Sequence, residues 1–231
     1  MNKKRLVVLS GAGVSAESGL GTFRDSGGLW EKYRIEDVAT PEAWEKDPRL
    51  VTLFYNMRRK QAYEALPNPA HEVLAQLENF FDVFVITQNI DDLHERAGSK
   101  KVLHLHGEIG KVKSSGPNAE KEYFPQKHWE VKMGDVCPEG YQLRPHVVWF
   151  GEAVPMLNEA EKIVRTADLF LVVGTSLNVY PAAGLIYSVP QSAPSYLIDP
   201  NEVEITHNFK HIKQPASKGI KVFEEMINNL I

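Results

Sequence analysis

The sequence predicts an α/β fold: a parallel sheet with helices on both faces, carrying a small inserted lobe. Three observations predict it. The apolar run Arg5–Ser10 enters a glycine turn, Gly11-Ala12-Gly13, with a helix expected from near Ser15. Two further apolar runs, Val83–Thr87 and Leu169–Gly174, stop at Gln88-Asn89 and at Gly174-Thr175-Ser176. Open α/β sheets bind ligands at such strand ends, and a strand, glycine turn and helix open a Rossmann-like dinucleotide unit. Pro69–Leu77 and Lys218–Leu230 carry apolar residues at helical spacing, the pattern of helices packed on a sheet.

In chain order, Arg5–Ser10 reads as the first buried strand and 22–66 as an aromatic-rich helical flap, punctuated by Gly27-Gly28, Pro41 and Pro48. Ala70, Val73, Leu74 and Leu77 then share one side of a helix before the strand Val83–Thr87. His104 and His106, if in a strand, share a face. Residues 107–145 are rich in Gly, Pro and charge and read as a small second lobe, leaving 1–106 and 146–231 as the large lobe. A polar-faced helix at Glu159–Ala167, strands at Leu169–Gly174 and Ser195–Ile198, and the closing helix complete the chain.

At 231 residues and 43% hydrophobic, the chain can bury one domain-sized core. A formal charge of -4 gives no nucleic-acid groove or affinity for an anionic membrane. No run approaches the roughly 18 apolar residues of a spanning helix. The single cysteine, Cys137, cannot close an internal disulfide, so a cytoplasmic location is expected.

The glycine turn lacks the Walker lysine, and residue 16 is Ala where a dehydrogenase fingerprint has its third glycine. Both observations disfavour those nucleotide-binding classes. The turn continues as Gly11-Ala12-Gly13-x-Ser15-x-x-Ser18-Gly19, followed by Thr22-Phe23-Arg24, Thr87-Gln88-Asn89-Ile90-Asp91, His104-Leu105-His106-Gly107, Leu143-Arg144-Pro145 through Glu152, and Gly174-Thr175-Ser176-Leu177. In that order, across nearly the whole chain, these blocks resemble the sirtuins, and most closely the bacterial class that includes mitochondrial desuccinylases.

The resemblance implies NAD as cosubstrate and removal of acyl groups from protein lysines. Gly11, Ala12, Gly13, Ser15 and Glu17 would contact diphosphate and ribose, with Thr22, Phe23 and Arg24 on a cofactor loop. Asn89, Ile90 and Asp91 would form the nicotinamide pocket, with Asn89 and Asp91 also in the catalytic set, while Gln88 contacts ribose. Gly174, Thr175, Ser176, Val179, Asp199, Asn201 and Ala216 would hold the adenosine half. Asp199 departs from the family's usual Ile-Asn step. The resemblance selects His106 over His104 as base, and imidazole suits the task because it titrates near neutrality. An extended acyl-lysine peptide would lie along Val147, Val148, Trp149, Phe150, Gly151 and Glu152, read as an edge strand. A monomer is the family expectation. Mono-ADP-ribosyl transfer and a catalytically weak NAD-binding sensor are the alternatives on the same scaffold.

Tyr55 and Arg58 lie three residues apart, so a helix would bring both to one ligand, and phenol and guanidinium together suit a terminal carboxylate. The pair resembles the motif of sirtuins that remove succinyl or malonyl as well as acetyl, and Ala39 matches their small pocket residue. Family members hold a structural zinc with two Cys-x-x-Cys pairs. The corresponding positions here are Ser114, Pro117, Cys137 and Gly140, so no zinc is expected. Tyr123, Phe124, Trp129, Val131, Met133 and Tyr141 are the expected replacement core of the small lobe.

Overall fold

The computed structural model describes residues 3–21, 32–204 and 208–228. Six parallel strands form the main sheet in the order β3-β2-β1-β7-β8-β9. They are β1 (Arg5–Ser10), β2 (Asp82–Thr87), β3 (Val102–His104), β7 (Leu169–Val173), β8 (Ser195–Ile198) and β9 (Phe209–Ile212). The strand order reverses between β1 and β7, which pair from Leu6 with Leu169 to Ser10 with Val173. That reversal opens a crevice at their carboxyl ends.

Alternation along β1 divides the core. Leu6 and Val8 face α5 (Pro69–Gln76) and α8 (Ala216–Ile227), while Val7 and Leu9 face α7 (Leu157–Val164) and the 3-10 segment Ala182–Ser188. Helices therefore cover both faces, and continuous apolar strands follow from burial on two sides. The sequence reading of these helices holds within one or two residues at their starts. The first helix, α1 (Gly13–Ala16), begins before Ser15 and makes a single turn.

The flap contributes α2 (Ile35–Val38), α3 (Pro41–Lys46) and α4 (Pro48–Glu64). Both longer helices start with Pro at the first turn beneath a capping side chain: Thr40 accepts from Ala43 N–H and Asp47 from Leu50 N–H. The second lobe is an antiparallel sheet, β5-β4-β6, of β5 (Tyr123–Pro125), β4 (Gly107–Ser114) and β6 (Leu143–Val147). Strand β6 carries the lobe two residues past the expected boundary at 145.

Two expectations are corrected. The small lobe does not close on an aromatic core: Tyr123, Trp129, Met133 and Tyr141 are exposed, and only Val131 of the six expected residues is fully buried. Polar pins replace that core. Arg59, fully buried in α4, donates through Nε to the Ile109 carbonyl and through Nη1 to Asn56 Oδ1 and the Trp129 carbonyl. Asn56 in turn exchanges hydrogen bonds with the Val131 backbone.

The second correction concerns 148–152, which turns instead of continuing β6. Arg144 causes the turn. Its guanidinium makes a bidentate pair with Glu152 at 2.9 and 3.0 Å and stacks 3.5 Å from the Trp149 ring centroid. Glu152 also accepts the Trp149 N–H.

Candidate active site

The crevice is built on glycines that cannot carry a side chain. A Cβ on Gly13 would lie 2.9 Å from Gly174 Cα, and one on Gly174 (φ +64°) would lie 2.2 Å from the Val14 nitrogen. The two turns are fastened by Gly11 N–H to Val173 O at 3.1 Å and Gly13 N–H to Gly174 O at 2.8 Å. The resulting cradle admits backbone-close approach by a phosphate and so fits a dinucleotide. Gln88 reaches across from the end of β2 to Thr175 Oγ1, 3.2 Å away.

Beside the cradle lies a buried polar chain. Asn89 Nδ2 donates to Ser15 Oγ at 3.0 Å, and Ser15 Oγ donates to Asp91 Oδ1 at 3.3 Å. Asp91 Oδ1 also accepts Leu93 N–H. Burial raises the Asp91 pKa against the opposing Leu93 and Ser15 hydrogen bonds and the charge of His104. Asn89 and Asp91, expected at the nicotinamide pocket, therefore form one network with Ser15, which was expected on the diphosphate and ribose side.

Sequence reasoning missed two buried histidines behind that network. Asn68 N–H donates to His71 Nδ1 at 3.2 Å in the cap of α5, so the His71 proton sits on Nε2, 3.5 Å from Ser15 Oγ. Burial lowers the His71 pKa to about 4, which keeps the ring neutral. His94 Nε2 lies 2.9 Å from Ser10 Oγ, and its ring meets that of His71 at 4.8 Å between centroids. The Asn-Pro-x-His cap of α5 was the available signal.

His104 and His106 do not share a strand face, because β3 ends at His104 and the chain bends through Leu105 and His106. Each ring holds a different carbonyl of the β2 turn. His106 Nδ1 lies 3.0 Å from Gln88 O, and His104 Nδ1 lies 2.9 Å from Asn89 O. A carbonyl only accepts, so His106 carries its proton on Nδ1 and, when neutral, presents a lone pair on Nε2. Burial lowers the His106 pKa, with the Gln88 hydrogen bond opposing, and favours that neutral form. His104 Nε2 lies 2.8 Å from Glu95 Oε1 of α6 (Leu93–Arg96).

Next to the His106 segment the flap and the second lobe pack into one apolar cluster. Ala39, Tyr55 and Trp149 are all buried in it, with the Tyr55 and Trp149 rings 6.5 Å apart. The cluster is fastened by Phe150 N–H to Ala39 O at 3.0 Å and Val148 N–H to His106 O at 2.9 Å. Burial drives the Tyr55 pKa to about 12, with the Arg58 charge opposing. Burial also lowers the Arg58 pKa, against the charges of Tyr55 and Asp91. The guanidinium thus lies within electrostatic reach of both groups. Val147 closes β6 and is buried in the same cluster, whereas Phe150 is exposed and Gly151 turns the chain at φ +90°.

Several expected contact residues are engaged internally. Glu17 accepts Ser217 N–H at 2.9 Å and its hydroxyl at 2.7 Å, beside Ala216 at the start of α8. Asp199 Oδ1 accepts the backbone N–H of Asn201 at 2.9 Å. Both carboxyl groups of Glu152 and Asp199 thereby shape backbone. Ser176 Oγ accepts from Asn178. Ile90 lies between Asn89 and Asp91, its carbonyl accepting Ile109 N–H at 2.7 Å. Thr22, Phe23 and Arg24 lie outside the described residues.

At the former zinc positions, Cys137 Sγ lies 3.4 Å from Ser114 Oγ. Pro117 and Gly140 supply no donor, and among the described residues no group of three or more His, Cys, Asp or Glu could hold a metal ion. This donor set does not fit a structural zinc. No helix among the described residues is long and apolar enough to cross a membrane.

Comparison with known proteins agrees with this geometry. Residues 11–181 match the Sir2 family. The chain is 55% identical to an NAD-dependent protein deacylase of Bacteroides thetaiotaomicron, over 97% of this chain and 98% of that one. It is 47% identical to the NAD-dependent protein deacylase of a Helicobacter pylori strain, over 99% and 98%. Among solved structures, a Sir2 homologue in complex with NAD superposes with a TM-score of 0.87 at 39% identity, covering 99% of this chain and 91% of that one. The chain belongs to the Sir2 family.

Proposed function

We propose that this protein is an NAD-dependent protein-lysine deacylase that accepts succinyl and malonyl as well as acetyl groups. The observation that carries the chemistry is the orientation of His106: its Nδ1 is engaged by Gln88 O, which leaves Nε2 as a neutral base beside the Asn89–Ser15–Asp91 network. The names of the relatives support deacylation as the activity.

NAD, when bound, would supply the ribose carbon that the acyl-lysine carbonyl oxygen bonds as nicotinamide leaves. The residues of this chain then act as follows. Gly11, Gly13 and Gly174 leave room for the diphosphate. Ser15, Asn89 and Asp91 orient the nicotinamide side and Gln88 the ribose. His106 Nε2 takes the proton of a ribose hydroxyl, so that the acyl group can pass to that oxygen and leave the lysine. Water completes release. The products are nicotinamide, free lysine and O-acyl-ADP-ribose.

Acyl choice rests on the pocket of Ala39, Tyr55 and Arg58. Ala39 leaves space, while the Tyr55 phenol, held protonated by burial, and the Arg58 guanidinium suit a terminal carboxylate. Val147–Glu152 forms the peptide side of the cleft, with the turn held by Arg144. The protein needs no zinc, and it works as a monomer. The test compares kcat/KM on one lysine peptide bearing acetyl or succinyl. In Arg58→Met, succinyl removal should fall by about 10- to 100-fold, the cost of one or two charge-assisted hydrogen bonds. Acetyl removal should change by less than about threefold. Equal losses on both peptides would return Arg58 to a structural part.

A further inference from the structure

We propose that His104 is a positioning residue of this reaction: held as an imidazolium between the Asn89 carbonyl and the Glu95 carboxylate, it fixes the turn that carries Asn89 and Asp91. The proposal rests on the deacylase reading given above and adds a residue, a charge state and a pH dependence to it.

The charge state follows from geometry. His104 Nδ1 lies 2.9 Å from Asn89 O and Nε2 lies 2.8 Å from Glu95 Oε1. A backbone carbonyl and a carboxylate both accept and neither donates, so each nitrogen must carry a proton for both contacts to be hydrogen bonds. His106, two residues on, touches a single carbonyl and stays neutral. One short motif therefore delivers two histidines in opposite charge states, the first to the scaffold and the second to the chemistry.

The location gives the charge its use. His104 pairs with Thr87 at the ends of β3 and β2, and Leu105 N–H bonds Thr87 O at 2.9 Å. The consecutive carbonyls of Gln88 and Asn89 are thus pinned by His106 and His104, leaving the turn little freedom. The charged groups facing His104 are Glu95 and His94 from α6, Asp91 from the turn and Glu108 from β4, with Asp92 acting on Asp91 and Lys111 on Glu95. Burial alone would lower the His104 pKa, but hydrogen bonding and attraction by Glu95, with Asn89 O and Glu108, outweigh it and raise the value. The same positive charge, after the Leu93 and Ser15 hydrogen bonds, opposes the rise that burial imposes on the Asp91 pKa, and it disfavours a charge on His94. Losing the His104 proton removes one of the two hydrogen bonds and frees the turn.

The experiment uses the whole chain. Nitrogen-15 NMR of the His104 ring across pH reads its protonation, and kcat/KM for NAD at saturating acetyl-lysine peptide is followed over the same range. The expected result is a doubly protonated ring at neutral pH and a wild-type profile with an alkaline limb that coincides with the ring titration. His104→Gln should lower kcat/KM by about tenfold at neutral pH, as for one lost charge-assisted hydrogen bond, and remove that limb. Glu95→Gln, altering a half-exposed side chain, should keep the fold and move both limb and ring titration toward acid. A neutral His104 ring at neutral pH would overturn the proposal. A His104→Gln profile parallel to wild type, or a limb unmoved in Glu95→Gln, would do the same. If wild type removes no acyl group from any peptide, the activity reading fails instead, while the ring titration still decides the charge state.

Discussion

His106 and Arg58 show how one environment serves two ends. Each is half-buried beside Asp91 or its turn, and desolvation shifts both toward neutrality, yet the outcomes differ because their starting pKa values differ by several units. The imidazole becomes a dependable neutral base, whereas the guanidinium stays charged and can read a carboxylate. Replacing His106 by Ala should cut deacylation by at least about 100-fold while NAD still binds, as the loss of a general base does. Titration calorimetry with NAD checks the second half of that statement. At this scale the sequence was informative where a residue type is tied to chemistry. The helix that carries Tyr55 and Arg58 was legible from spacing, whereas the choice of His106 came from the resemblance alone. His71 was missed: the Asn68-Pro69-x-His71 pattern signals a helix cap, but not that the far side of the ring approaches Ser15.

Elements carry the next part of the account. The flap helix α4 is tied to the second lobe chiefly through Arg59, whose fully buried guanidinium serves two carbonyls and one amide oxygen. Arg59→Ala should destabilise the protein by about 3 kcal/mol, because buried acceptors would lose charged donors. Urea unfolding checks this, and a change below about 0.5 kcal/mol would mean the lobe is held elsewhere. The sequence offered aromatic residues as the replacement for zinc, and that inference failed for a physical reason. Tyr123, Trp129, Met133 and Tyr141 stay exposed because the lobe is tied to α4 by the hydrogen bonds of Arg59 and Asn56 to its backbone. Tyr123 instead stacks on His146 at 3.9 Å. Likewise, the apolar stretch after Val147 read as strand because periodicity does not register the Arg144–Glu152 pair that bends it. Inductively coupled plasma analysis of protein purified without chelator should find well under one zinc per chain, and one equivalent would show that the lobe recruits ligands from elsewhere.

The whole molecule brings these parts to one crevice because β1 and β7 part company at the glycine turns, a feature that the strand, turn and helix pattern made legible from the first twenty residues. Gly, Pro and charge content put the end of the second lobe at 145, within β6, which runs to Val147. Stability should follow the buried histidines. His71 and His146 are lowered to about 4 by burial, and His94 and His106 are lowered too. The unfolded chain takes up these protons near pH 6.5, roughly the unperturbed value, while the folded chain resists them. Stability is therefore complete above that pH and falls as pH drops from about 6.5 toward 4. His104 works in the opposite sense: its raised pKa contributes stability below about 6.5 that is lost as pH rises through the folded value. Thermal unfolding across pH 4 to 9 should show the steeper loss on the acid side, and a Tm independent of pH between 4 and 6.5 would contradict the assignment.

The most direct test of the account is product analysis by mass spectrometry. Wild type and His106→Ala are each incubated with NAD and one acyl-lysine peptide. The account predicts equal amounts of nicotinamide, free-lysine peptide and O-acyl-ADP-ribose from wild type, and near-complete loss of all three from His106→Ala with NAD binding retained. ADP-ribose attached to protein with the acyl-lysine intact, or an undiminished yield from His106→Ala, would contradict it.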